Sequence, residues 1–173
     1  GGSVHKPVHK PMSTVHTSKC NLLVDTGASH HIVNDKSCFG KLYAPPVDSV
    51  TCGGGEEHAV LAAGTVIVRG KHGIVRLMDT LYVPTFKVNL LSGSTACDNG
   101  AKLEATPDKL RVILKYRTVL SADTIDGLFH VDGKVLQLKV VPSDFIHATA
   151  LTASASLWHK RLGHVSYGIV KRM

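Results

Sequence analysis

Aromatic side chains are scarce in this chain: four Phe, four Tyr and one Trp among 173 residues. With 16 glycines beside them, that composition argues against helical bundles and for short strands joined by turns. Cysteine is also thin. Cys20, Cys38, Cys52 and Cys97 are scattered, with no C-x-x-C pair, so a disulfide framework is not expected and the thiols read as packing residues. No apolar run is long enough to span a bilayer, and no charged, apolar and cleavage-site sequence marks a signal peptide. A soluble, intracellular protein without membrane association is the expectation. The formal charge is +7, but Lys and Arg are spread rather than blocked, which describes a solvated basic surface.

What remains is enough for one domain, since 43% of the residues are hydrophobic. Residues 1–18 carry a tandem V-H-K-P and little apolar periodicity, the texture of a disordered or polyproline-like leader. A β-rich domain is expected over residues 19–141. It contains the runs "CNLLV", "VDSVTC", "AVLAAGTVIV", "GIVRLM", "TLYV" and "LRVILKY", each closed by turn residues. "VTCGGGEEHAV" places Gly53, Gly54 and Gly55 between two strand-like flanks, as a hairpin tip or a passive loop. "NLLSGSTACDNG" is the one short helical candidate, closed by Asn99-Gly100. Asp132-Gly133 stands between two apolar runs and is expected to turn a hairpin. Residues 142–156 are small and polar enough for a linker, and 157–173 resume as a basic, amphipathic, helical segment.

The chemistry concentrates in "NLLVDTGASHHIV", Asn21 to Val33. An apolar strand that delivers Asp25 at its end desolvates the carboxylate, and a second carboxylate beside it allows the pair to share one proton. One member then serves as general base on a water while the protonated member polarises a scissile carbonyl. Gly27 suits such a loop because a Cβ would obstruct close approach of a second loop and of substrate backbone, and the Thr26 hydroxyl can hold a facing loop. The rival for Asp25 is an ordinary turn aspartate bonded to its own backbone. A phosphate loop is excluded by the lack of Gly-Lys-[Ser/Thr] after the glycines. Ser29 as a nucleophile beside His30 or His31 is excluded because "GASHH" lacks the second glycine of a G-x-S-x-G elbow.

The series "LLVDTGASHHIVND", "GTVIV", "TLYVPTFKVNLLSGSTACDNGAKLEA", "GLFHV" and "LWHKRLGHVSYGIVKR" resembles the protease region of copia-type retrotransposon polyproteins, running into the segment that precedes integrase. The resemblance implies a retropepsin-like closed β-barrel with one short helix, active as a homodimer with one catalytic Asp per subunit, followed by a partly helical C-terminal tail. It implies Asp25, Thr26 and Gly27 as the catalytic triplet, Ala28 and Ser29 at the substrate groove, and Gly53, Gly54 and Gly55 as the tip of a flap. Leu90 and Leu91 resemble the apolar pair before the retropepsin helix, although Ser92 stands where many relatives have glycine. His31 falls where relatives carry His, with a structural role.

The dimer has support from the sequence itself. Two-lobed aspartic proteases need two D-[ST]-G loops, whereas Asp79-Thr80-Leu81 and Asp123-Thr124-Ile125 both lack the glycine, so a second copy must supply the second carboxylate. The implied substrates are peptide segments of the chain's own Gag-Pol polyprotein, the implied setting is cytoplasmic within virus-like particles, and no metal or organic cofactor is required. His159 and His164 form H-x4-H, half of a His2Cys2 zinc module. With no thiolates following, they would ligate zinc only in a longer chain. A self-processing site is expected in or beside the linker between Val141 and Leu157. The alternative is a catalytically silent or domesticated module that dimerises, or meets nucleic acid through its basic tail.

Overall fold

The computed structural model describes residues 21–138 together with Thr149 and Ala150. Strands dominate. In chain order they are β1 (Leu22–Asp25), β2 (Ile32–Val33), β3 (Phe39–Tyr43), β4 (Ser49–Thr51), β5 (Glu57–Ala59), β6 (Ala62–Gly70), β7 (Gly73–Tyr82) and β8 (Asn89–Ser92). After α1 (Gly93–Asp98), the single α-helix among the described residues, come β9 (Lys102–Ala105), β10 (Lys109–Leu114), β11 (Arg117–Ile125), β12 (Leu128–Val131), β13 (Gly133–Val135) and β14 (Thr149–Ala150). The helix falls where the sequence placed it, and the two apolar runs "GIVRLM" and "TLYV" merge into the ten-residue β7.

The central path of the large sheet is β13-β6-β7-β2-β8-β1-β12-β11-β10-β9, with β3 joined to β6 and β14 to β7; β4 and β5 form a separate two-stranded sheet. β1 lies in the interior of this path, parallel to β8 and antiparallel to β12. That position explains its sequence. A strand covered on both faces reads as a continuous apolar run rather than an alternation, and Leu22, Leu23 and Val24 are all buried.

Leu22 and Val24 join the main core, in which Val66, Val68, Val75 and Leu77 of β6 and β7 meet Leu110, Val112, Leu120 and Ala122 of β10 and β11. The sheet therefore curls until its two halves pack on each other. It does not close. The expected closed barrel is not found among the described residues: β9 pairs only with β10, and β13 only with β6. The β9 edge is short and polar, with Lys102 and Glu104 paired at 3.1 Å, and a charged, four-residue edge resists further strand addition.

The hairpins also differ from expectation. Asp132-Gly133 does not turn one, because β12 pairs with β1 and β11 while β13 crosses to β6. The turn lies at Asp126-Gly127, between β11 and β12, where both residues have positive φ (52° and 77°). A two-residue type I′ loop demands that conformation at both central positions, and Asp-Gly is among its preferred pairs. Gly133 instead lets strands approach, since a Cβ there would lie 2.9 Å from the Arg69 carbonyl oxygen. The leader, most of the linker including the proposed self-processing stretch, and the tail with His159 and His164 lie outside the described residues.

Candidate active site

Asp25 is the last residue of β1, aligned with Ser92 at the end of parallel β8. The strand is buried through Val24 and then emerges, so Asp25, Thr26 and Gly27 are exposed while Ala28 and Ser29 are half-buried. The Gly27 N–H donates to Asp25 Oδ1 at 2.8 Å, and a Cβ on Gly27 would sit 3.3 Å from that same oxygen. The loop thus orients one carboxylate oxygen through its own backbone. Asp25 is simultaneously a turn aspartate and an exposed carboxylate, and the two readings of the sequence are not exclusive.

The loop is pinned from behind by α1. Ser92 caps the helix, accepting from Thr95 N–H at 3.0 Å, and its hydroxyl donates to the Ala28 carbonyl at 2.5 Å. Ser94 Oγ donates to that carbonyl at 2.9 Å, and Thr95 Oγ1 donates to the Ser29 carbonyl at 2.9 Å. Gly93 permits the close fit, because a Cβ there would lie 2.9 Å from Leu103 Cδ1 and 3.2 Å from Thr26 Cγ2. Ser92 is therefore both the cap of α1 and a brace for the loop. Ser92→Ala is expected to cost about 0.5–2 kcal/mol, the range for losing an N-cap, and to loosen the loop; equilibrium urea unfolding reads the first and substrate KM the second.

His31 has a structural role, as expected, through a partner distant in sequence. Its Nδ1 accepts the Ser92 backbone N–H at 2.9 Å, which requires the neutral ring with its proton on Nε2. Full burial, together with neighbouring His30, drives its pKa down to about 3. Burial likewise lowers His30 to about 4, and Ser29 Oγ lies 2.6 Å from His30 Nδ1. The histidine pair is thus a structural strut between the loop and the helix cap.

Register assigns the two faces of the site. Residues aligned across strands share a face. Leu23 aligns with Leu90, Leu90 with Ile32, and Ile32 with Leu81, a row on the face opposite the main core. Leu90, Ile32 and Leu81 belong to a second apolar cluster that includes Val47, Val50 and Cys52 from the β4–β5 hairpin region. That hairpin therefore packs over the face from which Asp25 projects, two residues beyond Leu23. Contrary to expectation, Leu91 does not line a groove: it is wholly buried in the main core, so of the expected pair Leu90 alone faces the hairpin. Leu23, Ile32 and Leu81 are themselves buried and form the floor beneath Leu90; only their period-two alternation within an apolar run could have indicated that face.

Gly53, Gly54 and Gly55 do form the tip of a hairpin. Gly55 N–H donates to the Cys52 carbonyl at 2.9 Å, Gly55 has φ +83°, and none of the three glycines has an atom within 4 Å of a potential Cβ. The base is anchored instead: buried His58 lies 2.8 Å from Thr85 Oγ1 through Nδ1, and its ring meets Phe86 edge-on at 4.8 Å. A clear tip on a tethered root is a geometry that can swing.

The other Asp-Thr pairs are unlike Asp25. Asp79 is buried and accepts from the Tyr43 hydroxyl, while Asp123 lies 3.8 Å from Lys109 Nζ on the β10–β11 ladder. Among the described residues no cluster of His, Cys, Asp and Glu could hold a metal ion, and no helix is long and apolar enough to cross a membrane.

Residues 22–101 match the family model described as "Pol polyprotein, beta-barrel domain", and residues 127–173 match the "GAG-pre-integrase domain". The chain is 26% identical over 146 residues to the retrovirus-related Pol polyprotein from transposon TNT 1-94 of Nicotiana tabacum, an alignment covering 83% of this chain and 10% of that protein. It is 29% identical over 158 residues to the retrovirus-related Pol polyprotein from transposon RE1 of Arabidopsis thaliana, covering 88% and 10%. To the corresponding polyprotein from transposon RE2 of the same plant it is 29% identical over 155 residues, covering 87% and 10%. The chain thus spans about a tenth of the length of these relatives.

Proposed function

Since the chain belongs to the copia-type, retrovirus-related Pol polyproteins, we propose that residues 19–141 are its aspartic endopeptidase and that two copies assemble one active site. The observation that carries this reading is Asp25-Thr26-Gly27, exposed at the end of an otherwise buried interior strand and braced by Ser92, Ser94 and Thr95. A module without catalytic demands has no reason to hold a carboxylate in that position.

In the proposed mechanism the two Asp25 side chains share one proton. The ionised member takes a proton from water as that water attacks the peptide carbonyl, and the protonated member donates to the carbonyl oxygen. The resulting gem-diol collapses as the first member passes its proton to the leaving nitrogen and the second takes one back from a hydroxyl, breaking the C–N bond and restoring the shared proton. The Gly27 N–H keeps one oxygen of each carboxylate oriented. An extended substrate lies between the sheet face and the β4–β5 hairpin, gripped by main-chain hydrogen bonds, while half-buried Leu90, backed by buried Ile32, favours apolar side chains next to the scissile bond. Closure of the Gly53 to Gly55 tip excludes bulk water and retains the attacking one. The substrates are peptide segments of the parent Gag-Pol polyprotein, processed within cytoplasmic virus-like particles, and the 142–156 linker separates the protease from the pre-integrase segment of residues 157–173.

The test is cleavage of a Gag-Pol-derived polypeptide across acidic to neutral pH at several enzyme dilutions. The rate is expected to follow a bell in pH, because one carboxylate must be protonated and its partner ionised. Specific activity is expected to fall on dilution as dimers dissociate. A flat profile, or a specific activity independent of concentration down to the nanomolar range, defeats the shared dyad.

A further inference from the structure

The strand register places two large apolar side chains beside Asp25. β1 and β12 align Leu23 with His130 and Val24 with Phe129, so the next step along the antiparallel pair brings Leu128 alongside Asp25. β11 aligns Ile125 with Leu128 across the Asp126-Gly127 turn. Val24 and Phe129 pack with the main core. Asp25, Leu128 and Ile125 therefore form one transverse row on the opposite face, on three successive strands about 4.8 Å apart.

Both apolar members are half exposed, Leu128 at 52% and Ile125 at 51%. Other exposed apolar residues, such as Tyr116 at the tip of the β10–β11 hairpin and Leu61, stand singly in the chain, and scattered single residues on a surface are ordinary. A cross-strand Leu-Ile pair continuous with an exposed carboxylate is not.

The proton-sharing dyad dictates what covers this row. For two Asp25 carboxylates to share a proton, a twofold axis must pass beside Asp25, and a copy placed by that axis lies over the neighbouring positions of the same row. We propose that Ile125 and Leu128 form an apolar seam of the contact with a second copy of this chain. The proposal rests on the dyad reading and adds to it the element that supplies affinity: the β11–β12 hairpin. The hairpin straddles the start of the pre-integrase match: β11 lies between the two matched stretches, which end at residue 101 and begin at Gly127, whereas β12 falls inside the second and pairs with the strand that carries Asp25. Severing the chain at that turn would therefore remove half of the seam together with the neighbour of β1.

Sedimentation velocity on the full chain over a dilution series tests this, with Leu128→Asp, Ile125→Asp, Asp25→Asn and, as a surface control, Tyr116→Asp. Each seam variant, folded by circular dichroism, is expected to raise the dimer dissociation constant roughly ten- to a hundredfold, with Tyr116→Asp unchanged. Cleavage should fall in parallel and recover at high enzyme concentration with unaltered KM. Where an Asp variant fails to fold, Leu128→Gln and Ile125→Thr make the same comparison. Seam variants that dimerise like the native chain overturn the proposal, as does native dimerisation with a raised KM, which would assign the pair to substrate. A native chain that stays monomeric throughout also overturns it. Asp25→Asn separates the two readings: loss of cleavage with the dimer intact upholds the dyad whatever the seam variants do, and native-like cleavage by Asp25→Asn removes the dyad itself.

Discussion

Asp25→Asn is expected to abolish peptide hydrolysis, lowering turnover by at least roughly 10²–10⁴-fold, the usual contribution of positioned acid–base groups. The substitution isolates chemistry from folding. Asparagine is nearly isosteric, and its side-chain oxygen can still accept the Gly27 N–H now bonded to Asp25 Oδ1 at 2.8 Å. The Ser92, Ser94 and Thr95 contacts to the Ala28 and Ser29 carbonyls do not involve the carboxylate. What disappears is the ability to take or give a proton. Thermal melting should therefore match the native chain while cleavage vanishes. Mixing native and Asp25→Asn chains should inhibit native activity as mixed dimers form, because one carboxylate cannot play both roles at once. Retention of more than a tenth of native turnover would place the base elsewhere.

The second large effect is acid instability. His30 and His31 are held near pKa 4 and 3 in the folded chain, against 6.5 for a solvated imidazole. As pH falls below 6.5, the unfolded chain binds protons that the folded chain refuses, so folding stability declines. Each histidine contributes a slope of about 1.4 kcal/mol per pH unit until its folded pKa is approached. Above pH 6.5 both states are neutral at these positions and the contribution is flat. Asp35, whose carboxylate is held below its ordinary range by hydrogen bonding to Ser37, adds a loss in the same direction at lower pH.

Protonating His31 would also remove the acceptor for the Ser92 N–H, so the first structure lost should be the junction of loop and helix cap. Urea unfolding measured from pH 7.5 to 4 should show the decline. His31→Gln, which keeps an acceptor but does not titrate, should be less stable at pH 7.5 yet fall less steeply. Equal slopes for the two chains would refute the assignment. The effect bears on enzymology too: the acid limb of any rate profile will contain loss of folded protein as well as protonation of the dyad, and stability must be measured beside it.

The amino-acid sequence by itself determined the features that depend on neighbours along the chain. An apolar run ending in Asp25-Thr26-Gly27, a short helix after "NLL", three glycines at a hairpin tip and a succession of short strands are each written in local composition, because strand propensity, capping and turn conformation act over a few residues. Tertiary structure decided what depends on register between distant strands. It turned Leu91 into the core and Leu90 toward the hairpin, chose Asp126-Gly127 over Asp132-Gly133 as a turn, and left the sheet open between β9 and β13. It made Ser92 a cap for the loop and His31 the acceptor behind it, across 61 residues of chain. It also laid β12 alongside the strand that ends in Asp25. Identical dipeptides and adjacent leucines are indistinguishable in a sequence. A pairing partner about a hundred residues away fixes which face each side chain takes, since side chains alternate with a period of two and a shift of one residue reverses them all.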